Sequence, residues 1–252
     1  MRNNLNITAH TGCDGTRNDS LMSIEAGIRF GADAVEVDVR LNEKGCLILS
    51  HDEKKDRKYE NHPCLADAFD LIVRSGGIAV NCDIKEVETI PSVLELAAEK
   101  GIGPERLILT GSVTPLVLGK NPIILKRSSV WINIEECLRY FCLTENETVK
   151  TFQELIMNTM EADTLLASLA PYSASIMEAV ITECLRRGIK VINLPYMENI
   201  AALIHRMKER GIGASVWTVN EEEPLKRLFG LGALNVTTRN TRLAAETRKS
   251  FG

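Results

Sequence analysis

Residues 31–41 read GADAVEVDVRL, and this stretch alternates apolar and acidic side chains with a period of two. Such a period, carried by β-branched valines, predicts a β-strand over residues 34–39. Glu36 and Asp38 would then point to one face of the strand and lie close together. Neighbouring carboxylates repel each other, and burial of their face adds a desolvation penalty. The strand therefore predicts either a solvated face or a positive group between the two acids.

One sequence pattern recurs along the chain: an amphipathic helix, a glycine and then a strand rich in β-branched residues. It is found in RFGADAVEVDV (29–39), EKGIGPERLILT (99–110), RRGIKVINL (186–194), ERGIGASVWTV (209–219) and FGLGALNVTT (229–238). The glycines at 31, 101, 188, 211 and 232 are predicted to end helices in the left-handed conformation. Ser20, and Asn220 with Glu223, are predicted as N-terminal caps of the helices that follow them.

Strands that alternate with helices predict a parallel sheet with right-handed crossovers. We place strands near 5–9, 34–39, 78–85, 106–110, 190–194, 214–219 and 234–238, and one more at either 130–134 or 164–169. Eight strands in 252 residues predict an α/β fold of the (β/α)8 TIM-barrel type, with residues 1–252 as a single domain. A doubly wound open sheet is the alternative, although no glycine-rich phosphate loop follows the first strand.

The composition is that of an ordinary globular protein, with 44% hydrophobic and 25% charged residues. A formal net charge of -4 gives no basic surface for nucleic acid, which we do not expect as a partner. The start of the sequence lacks the apolar core of a signal peptide, and no apolar run is long enough to span a membrane. Seven cysteines without a Cys-x-x-Cys pair indicate reduced thiols, with Cys82 and Cys184 as packing groups. We therefore expect a cytoplasmic protein.

Polar residues gather where the predicted strands end, which is where a (β/α)8 barrel places its active site. The first strand ends at His10, and the second carries Glu36 and Asp38. A turn at 43–45 and a short returning strand then bring His51 to the same end. His62 and His205, by contrast, are predicted to be structural.

The third strand, IAVNCDIK, repeats the alternation and puts Asn81, Asp83 and Lys85 on one face. Three carboxylates without a cysteine cluster suit one hard divalent cation, Mg²⁺ or Ca²⁺. Zinc held by histidines and acids is the alternative. Two histidines left off the metal would form a general acid and base pair, and the lysine indicates an anionic substrate such as a phosphate.

These motifs resemble the glycerophosphodiester phosphodiesterase family, whose fold is a (β/α)8 barrel. The matching stretches are ITAHTG, GADAVEVDVRLNEKGCLILSHD, NCDIK, ASVWTVN and NVTTRN, which run from residue 7 to residue 240 in the family's order. The resemblance implies a phosphoric diester hydrolase that depends on a metal. Its substrate would be a small-molecule glycerophosphodiester, which it would convert to glycerol 3-phosphate and an alcohol.

The resemblance also implies roles for individual residues. His10 and His51 would be the catalytic acid/base pair. The metal ligands would be Glu36, Asp38 and Asp83, the last standing where the family usually has a glutamate. Lys85 would hold the phosphate, and Trp217 would line the glycerol or alcohol side of the pocket.

Besides Asp83, three positions depart from the family pattern. Thr11 stands where the family usually has an arginine that clamps phosphate, and Asn18 replaces a glutamate near the metal. Arg239 stands where an aspartate is usual. A basic residue from a loop, for example Arg17, Lys126 or Arg127, could restore the clamp.

Two other functions are compatible with these departures. One is a non-catalytic or altered-specificity barrel that binds a phosphorylated ligand. The other is a related lyase that forms a cyclic phosphate. Retention of two histidines and three acids favours the hydrolase, because a binding module has no need of an acid/base pair.

Overall fold

The protein was analysed as a computed structural model that describes residues 6–52, 62–140 and 173–251. The strands are β1 (Asn6–Ala9), β2 (Ala34–Leu41), β3 (Leu47–Leu49), β4 (Ala79–Ile84), β5 (Leu107–Gly111), β6 (Ser129–Asn133), β7 (Val191–Pro195), β8 (Gly213–Trp217) and β9 (Asn235–Thr238). The α-helices are α1 (Leu21–Arg29), α2 (Leu65–Arg74), α3 (Ile90–Glu99), α4 (Pro115–Lys120), α5 (Ile124–Arg127), α6 (Ile134–Tyr140), α7 (Ser173–Arg186), α8 (Ile200–Glu209), α9 (Glu222–Leu231) and α10 (Thr241–Lys249).

Eight of these strands form a closed parallel barrel. Around the ring they follow the order β1, β2, β4, β5, β6, β7, β8 and β9, and β1 pairs with both β2 and β9. This closure confirms the predicted (β/α)8 barrel and excludes the open doubly wound sheet. Of the two candidates for the remaining strand, residues 130–134 coincide with β6, whereas 164–169 lie outside the described residues.

The strand that opened the sequence analysis is the second of the barrel. β2 pairs in parallel with β4 in a register that sets Glu36 beside Asn81 and Asp38 beside Asp83. β3 pairs antiparallel with β2 and is the predicted returning strand. β3 lies outside the closed ring, so it adds a hairpin to one side of the barrel mouth.

The valines of β2 face the helices. Val35, Val37 and Val39 are buried and belong to one hydrophobic cluster with Ile24 of α1 and Phe69 of α2. Because side chains alternate along a strand, the acids of β2 point the other way, into the barrel. Burial of the valines therefore fixes the direction of the two carboxylates.

The predicted helix boundaries hold with one exception. All five predicted glycines have positive φ, between 71° and 84°, and the Ser20 hydroxyl caps α1 by accepting a hydrogen bond from the Ser23 amide. The predicted cap at Asn220 is wrong, because Glu221 occupies the N-cap position of α9. The Asn220 side chain instead accepts hydrogen bonds from the Arg239 amide and the Thr238 hydroxyl, and so joins the β8–α9 loop to the end of β9.

Cys82 and Cys184 are fully buried in the core, as expected for packing groups. In the described part of the chain no helix is both long and apolar enough to span a membrane.

Candidate active site

A cavity of about 360 Å³ opens at the carboxyl ends of the barrel strands. This volume lies in the range of small-molecule sites. All seven residues that the sequence predicted for the site line the cavity, and they come from five strands or the loops that follow them: His10, Glu36, Asp38, His51, Asp83, Lys85 and Trp217.

Three carboxylates meet at one side of the cavity, and we call Glu36, Asp38 and Asp83 the carboxylate cluster. Each offers an oxygen, and the three oxygens lie within 4.8 Å of one another. Lys85 contacts two members of the cluster, since its Nζ lies 2.7 Å from Asp38 Oδ1 and 2.8 Å from Asp83 Oδ2. The contact to Asp83 is a hydrogen bond, whereas the contact to Asp38 is an ion pair without hydrogen-bond geometry.

Burial decides the protonation of the cluster. Desolvation, followed by repulsion from Asp38 and Asp83, raises the pKa of Glu36 well above its usual value. Desolvation raises the pKa of Asp38 to about 6, although Lys85 opposes the shift. For Lys85, burial lowers the pKa, but the two aspartates outweigh burial and leave the pKa raised. One lysine does not neutralise three acids, so the cluster retains a negative charge that a second cation can balance.

The donor atoms fit a hard divalent cation. Asp38 Oδ2 and Asp83 Oδ1 are buried and have no hydrogen-bond partner among the described residues. Buried carboxylate oxygens without partners are costly unless an ion or ligand binds them. Gly111 preserves this space, because a Cβ at that position would lie 2.0 Å from Asp83 Oδ1. An all-oxygen donor set matches Mg²⁺ or Ca²⁺ rather than a thiophilic metal.

His10 follows β1 directly and is held against the cluster. Its Nδ1 lies 3.0 Å from the Thr11 carbonyl, 3.4 Å from Arg239 Nε and 3.7 Å from Glu36 Oε2. One nitrogen does not both donate to Thr11 and accept from Arg239, and the shorter distance assigns the proton to Nδ1. Burial lowers the pKa of His10; the Thr11 carbonyl opposes this shift and the Arg239 guanidinium adds to it. Nε2 is then the basic nitrogen.

His51 stands just beyond β3 and is far more open, with 61% of its side chain exposed. Its Nδ1 lies 2.8 Å from Asp52 Oδ1, and its amide donates to Asp19 Oδ2 at 3.1 Å. Asp19 was not predicted as a site residue. Its charge also contributes to the raised pKa of Asp38, after burial and the nearer charges. Asp19 therefore places a carboxylate beside the position where Asn18 replaces a glutamate.

The two departures in the first loop have structural roles. The Thr11 amide donates to Glu36 Oε2 at 2.9 Å, and its hydroxyl accepts from the Asp19 amide at 2.7 Å. The Asn18 side chain lies over Gly12, where a Cβ would lie 1.9 Å from Asn18 Oδ1. Neither contact places a positive charge in the cavity.

The basic residues suggested as a replacement clamp do not line the cavity. The Arg127 guanidinium donates to the Leu94 carbonyl, on the helical layer, and Arg17 and Lys126 are likewise absent from the cavity lining. Besides Lys85, the basic residue Arg239 contacts a reacting group, because its Nε lies 3.4 Å from His10 Nδ1. Arg239 lies in the loop after β9, far from His10 in the sequence. The two residues meet because the barrel closes by pairing β9 with β1.

A second group of polar residues lines the cavity and was missed. Asn133 ends β6, Glu135 and Glu136 begin α6, and Asn193 lies within β7. We call these four residues the β6–β7 wall. A signal was present, because the strand sequences VWIN and VIN both carry an asparagine after apolar residues. Glu135 and Glu136 gave no such signal in the sequence, because glutamates are common in the first turn of a helix.

The chain was compared with known proteins. The model of the glycerophosphoryl diester phosphodiesterase family matches residues 10–242. Among curated proteins, the chain is 28% identical over 254 residues to the uncharacterized protein YqiK of Bacillus subtilis (strain 168), covering 90% of this chain and 91% of that protein.

Solved structures with the same fold include a glycerophosphodiester phosphodiesterase from Parabacteroides distasonis, with a TM-score of 0.67, 16% identity, and coverage of 100% of this chain and 98% of that one. A Thermotoga maritima glycerophosphodiester phosphodiesterase has a TM-score of 0.63 and 19% identity, with coverage of 96% and 97%. An Oleispira antarctica phosphodiesterase, solved in complex with the product sn-glycerol-3-phosphate, has a TM-score of 0.66 and 14% identity, with 96% of each chain covered. At these identities the likeness establishes the fold.

Proposed function

Because the chain belongs to the glycerophosphoryl diester phosphodiesterase family, and is thus a phosphoric diester hydrolase, we propose that it hydrolyses glycerophosphodiesters to glycerol 3-phosphate and an alcohol. The reaction uses one divalent cation, Mg²⁺ or Ca²⁺, and a pair of histidines. The observation that carries this proposal is that one cavity contains the carboxylate cluster and both histidines.

Glu36, Asp38 and Asp83 would hold the cation through their oxygens. When bound, the cation supplies charge neutralisation of the phosphate and makes an attacking hydroxyl more acidic. Support comes from the partnerless buried oxygens of Asp38 and Asp83. Asp83 is one methylene shorter than the glutamate usual in the family, and Gly111 leaves room beside it.

His10 acts as the general base. The hydrogen bond from Nδ1 to the Thr11 carbonyl fixes the ring and leaves Nε2 free to accept a proton. Arg239, 3.4 Å from Nδ1, disfavours a second positive charge on the ring and so keeps the imidazole neutral before the reaction. The Oε2 atom of Glu36, at 3.7 Å, stabilises the imidazolium that forms during it.

His51 acts as the general acid. The Asp52 carboxylate, 2.8 Å from Nδ1, orients the ring so that the imidazole can donate a proton to the leaving alcohol. The amide contact to Asp19 and the Arg40 guanidinium, which donates to the His51 carbonyl, hold the backbone in place. The acid is thus positioned through its main chain while its side chain stays accessible.

Lys85 and Trp217 bind the substrate. The Lys85 ammonium lies at the cavity between two aspartates and is 16% exposed, so it can also contact a phosphate oxygen. Trp217 ends β8, and its Nε1 is buried without a hydrogen-bond partner among the described residues. This donor is free to bind a hydroxyl of the glycerol or alcohol part.

The proposal is tested by product analysis with purified protein, Mg²⁺ or Ca²⁺, and glycerophosphoethanolamine or glycerophosphocholine. We expect release of glycerol 3-phosphate. His10→Ala and His51→Ala should each lower kcat/KM by about a hundredfold to ten-thousandfold, the usual contribution of a general acid or base. His205→Ala is the matched control, because His205 is an exposed histidine on α8 that pairs with Glu209.

Full activity in both site variants would refute the assigned roles. A cyclic phosphate as the final product would instead assign the chain to the lyases. Binding of glycerol 3-phosphate without turnover of either diester would indicate a non-catalytic barrel.

A further inference from the structure

The β6–β7 wall lies across the barrel from the reacting groups. In the ring order β1, β2, β4, β5, β6, β7, β8, β9, strand β6 stands four places from β1 and β7 stands four places from β2. In a ring of eight, four places is the opposite side. Asn133 and Asn193 therefore face the cavity opposite His10 and the carboxylates of β2, where a substituent of a bound phosphate would extend.

Two buried atoms of the wall have no hydrogen-bond partner among the described residues, and both are acceptors. Asn193 Nδ2 donates to Asn133 Oδ1 at 2.9 Å, and the Asn133 side chain in turn hydrogen-bonds to the Glu135 carboxyl group. Asn193 is 8% exposed, and its Oδ1 has no partner among the described residues. The same holds for Glu135 Oε2. A ligand that satisfies this wall must bring hydrogen-bond donors.

The charge of the wall indicates that the donor is a cation. Glu135 and Glu136 both line the cavity, and Arg139 Nη1 lies 3.4 Å from Glu136 Oε1. Burial raises the pKa of Glu135 to about 7. Lys85, the single lysine or arginine among the described cavity-lining residues, pairs with the carboxylate cluster instead. Among the described residues no lysine or arginine forms an ion pair with the Glu135 carboxyl group, although the charge of Arg139 partly opposes the rise of its pKa.

We propose that the β6–β7 wall is a subsite for a primary ammonium group on the substrate's alcohol, contacted by Asn193 Oδ1 and Glu135 Oε2. The inference rests on the proposed function for the placing of the phosphate. A primary ammonium brings three N–H donors and a positive charge, which match the two partnerless acceptors. A quaternary ammonium has no N–H donor and is usually bound by several aromatic rings. Trp217 is the single Phe, Tyr or Trp side chain among the described residues that line the cavity.

Calorimetry in the presence of Mg²⁺ or Ca²⁺ tests the subsite without requiring turnover. Phosphoethanolamine, phosphocholine and glycerol 3-phosphate serve as probes. We expect the protein to bind phosphoethanolamine about tenfold or more tightly than phosphocholine, the size of one charge-assisted hydrogen bond. Glu135→Gln, which removes the charge and keeps the shape, should lose most of this preference. Asn193→Ala, which removes the acceptor, should do the same.

Glu209→Gln, a surface variant on α8, is the control and should keep the preference. Affinity for glycerol 3-phosphate should stay within about twofold in both wall variants. The subsite is refuted if phosphocholine binds as tightly as phosphoethanolamine, or if the wall variants weaken glycerol 3-phosphate instead, which would make the wall a glycerol site. Absence of diester hydrolysis alongside an intact binding preference would refute the proposed function and leave the subsite standing.

Discussion

The carboxylate cluster and the β6–β7 wall are two solutions to the same problem, the burial of acids at a barrel mouth. In the cluster, Lys85 lies within 2.8 Å of two aspartates and partly offsets their charge. In the wall, no lysine of the described residues pairs with Glu135, and burial raises the pKa of Glu135 to about 7. The difference shows that the chain partly neutralises one group of acids itself and leaves the other dependent on a proton or a ligand.

Removing a carboxylate from the cluster should have the largest effect. Asp83→Asn removes one of the three carboxylate charges that would hold the cation. We expect kcat/KM to fall about a hundredfold or more, which corresponds to the loss of several kcal/mol of charge stabilisation. Stabilisation against heat by added Ca²⁺ or Mg²⁺ should also disappear. Thermal melting with and without the ion measures this effect.

Asp70→Asn is the control, because Asp70 is an exposed acid of α2 paired with Lys100. It should keep both the activity and the thermal response to the ion. A normal response in Asp83→Asn would show that the ion binds elsewhere.

Removing the lysine should make the cluster resemble the wall. Lys85→Gln leaves buried acids without their partner, which costs on the order of 3 kcal/mol and lowers Tm by roughly 6–12 °C at pH 8. The pKa of Asp38, about 6 with the lysine present, should rise further. A raised folded-state pKa means that the folded protein holds a proton which the unfolded chain releases, so the variant should lose stability as pH rises from 5 to 8.

Melting curves of Lys85→Gln at pH 5 and pH 8 measure this dependence. Lys100→Gln removes a partly exposed lysine paired with Asp70 and should shift Tm little at either pH. A Tm deficit of Lys85→Gln that is equal at both pH values would contradict the electrostatic role of the lysine.

Neutralising the wall should have the smallest effect, and one of opposite sign. The pKa of Glu135 is raised from its usual value to about 7, so ionising it above pH 7 destabilises the folded state. Glu135→Gln should therefore be as stable as the parent protein near pH 5. It should be more stable at pH 8, by about 1–3 kcal/mol, as the size of the pKa shift implies. Differential scanning calorimetry of both proteins at the two pH values would detect it, and an equal difference at both would disprove it.

Much of the fold can be predicted from the sequence, because the alternation of side chains along a strand is visible in the residues of that strand alone. In β2 the valines and acids alternate, and in most strands a helix-ending glycine precedes the β-branched run. The choice between 130–134 and 164–169 for β6 did not follow, because short apolar runs carry no periodic signal that separates strand from helix. The cap prediction at Asn220 failed because that side chain instead accepts a hydrogen bond from the Arg239 amide at the end of the neighbouring strand, β9.

The same contrast holds for the site. His10, the carboxylate cluster, His51 and Lys85 were predictable because they lie on successive segments that place their polar residues at one end. The place of the β6–β7 wall depends on which strands face each other once the ring closes, and the contact of Arg239 with His10 depends on β9 and β1 becoming neighbours. Those relations are set by the number of strands and not by any local pattern.

In the proposed reaction, His51 and His10 return to their starting protonation states by different routes. His51 stands on a hairpin outside the closed ring with 61% of its side chain open, so its imidazole exchanges protons directly with the buffer. The His10 side chain is 18% exposed and faces the cavity, so its proton leaves through water that enters once the products have gone. Because it lies on the hairpin, His51 regains its proton independently of product release.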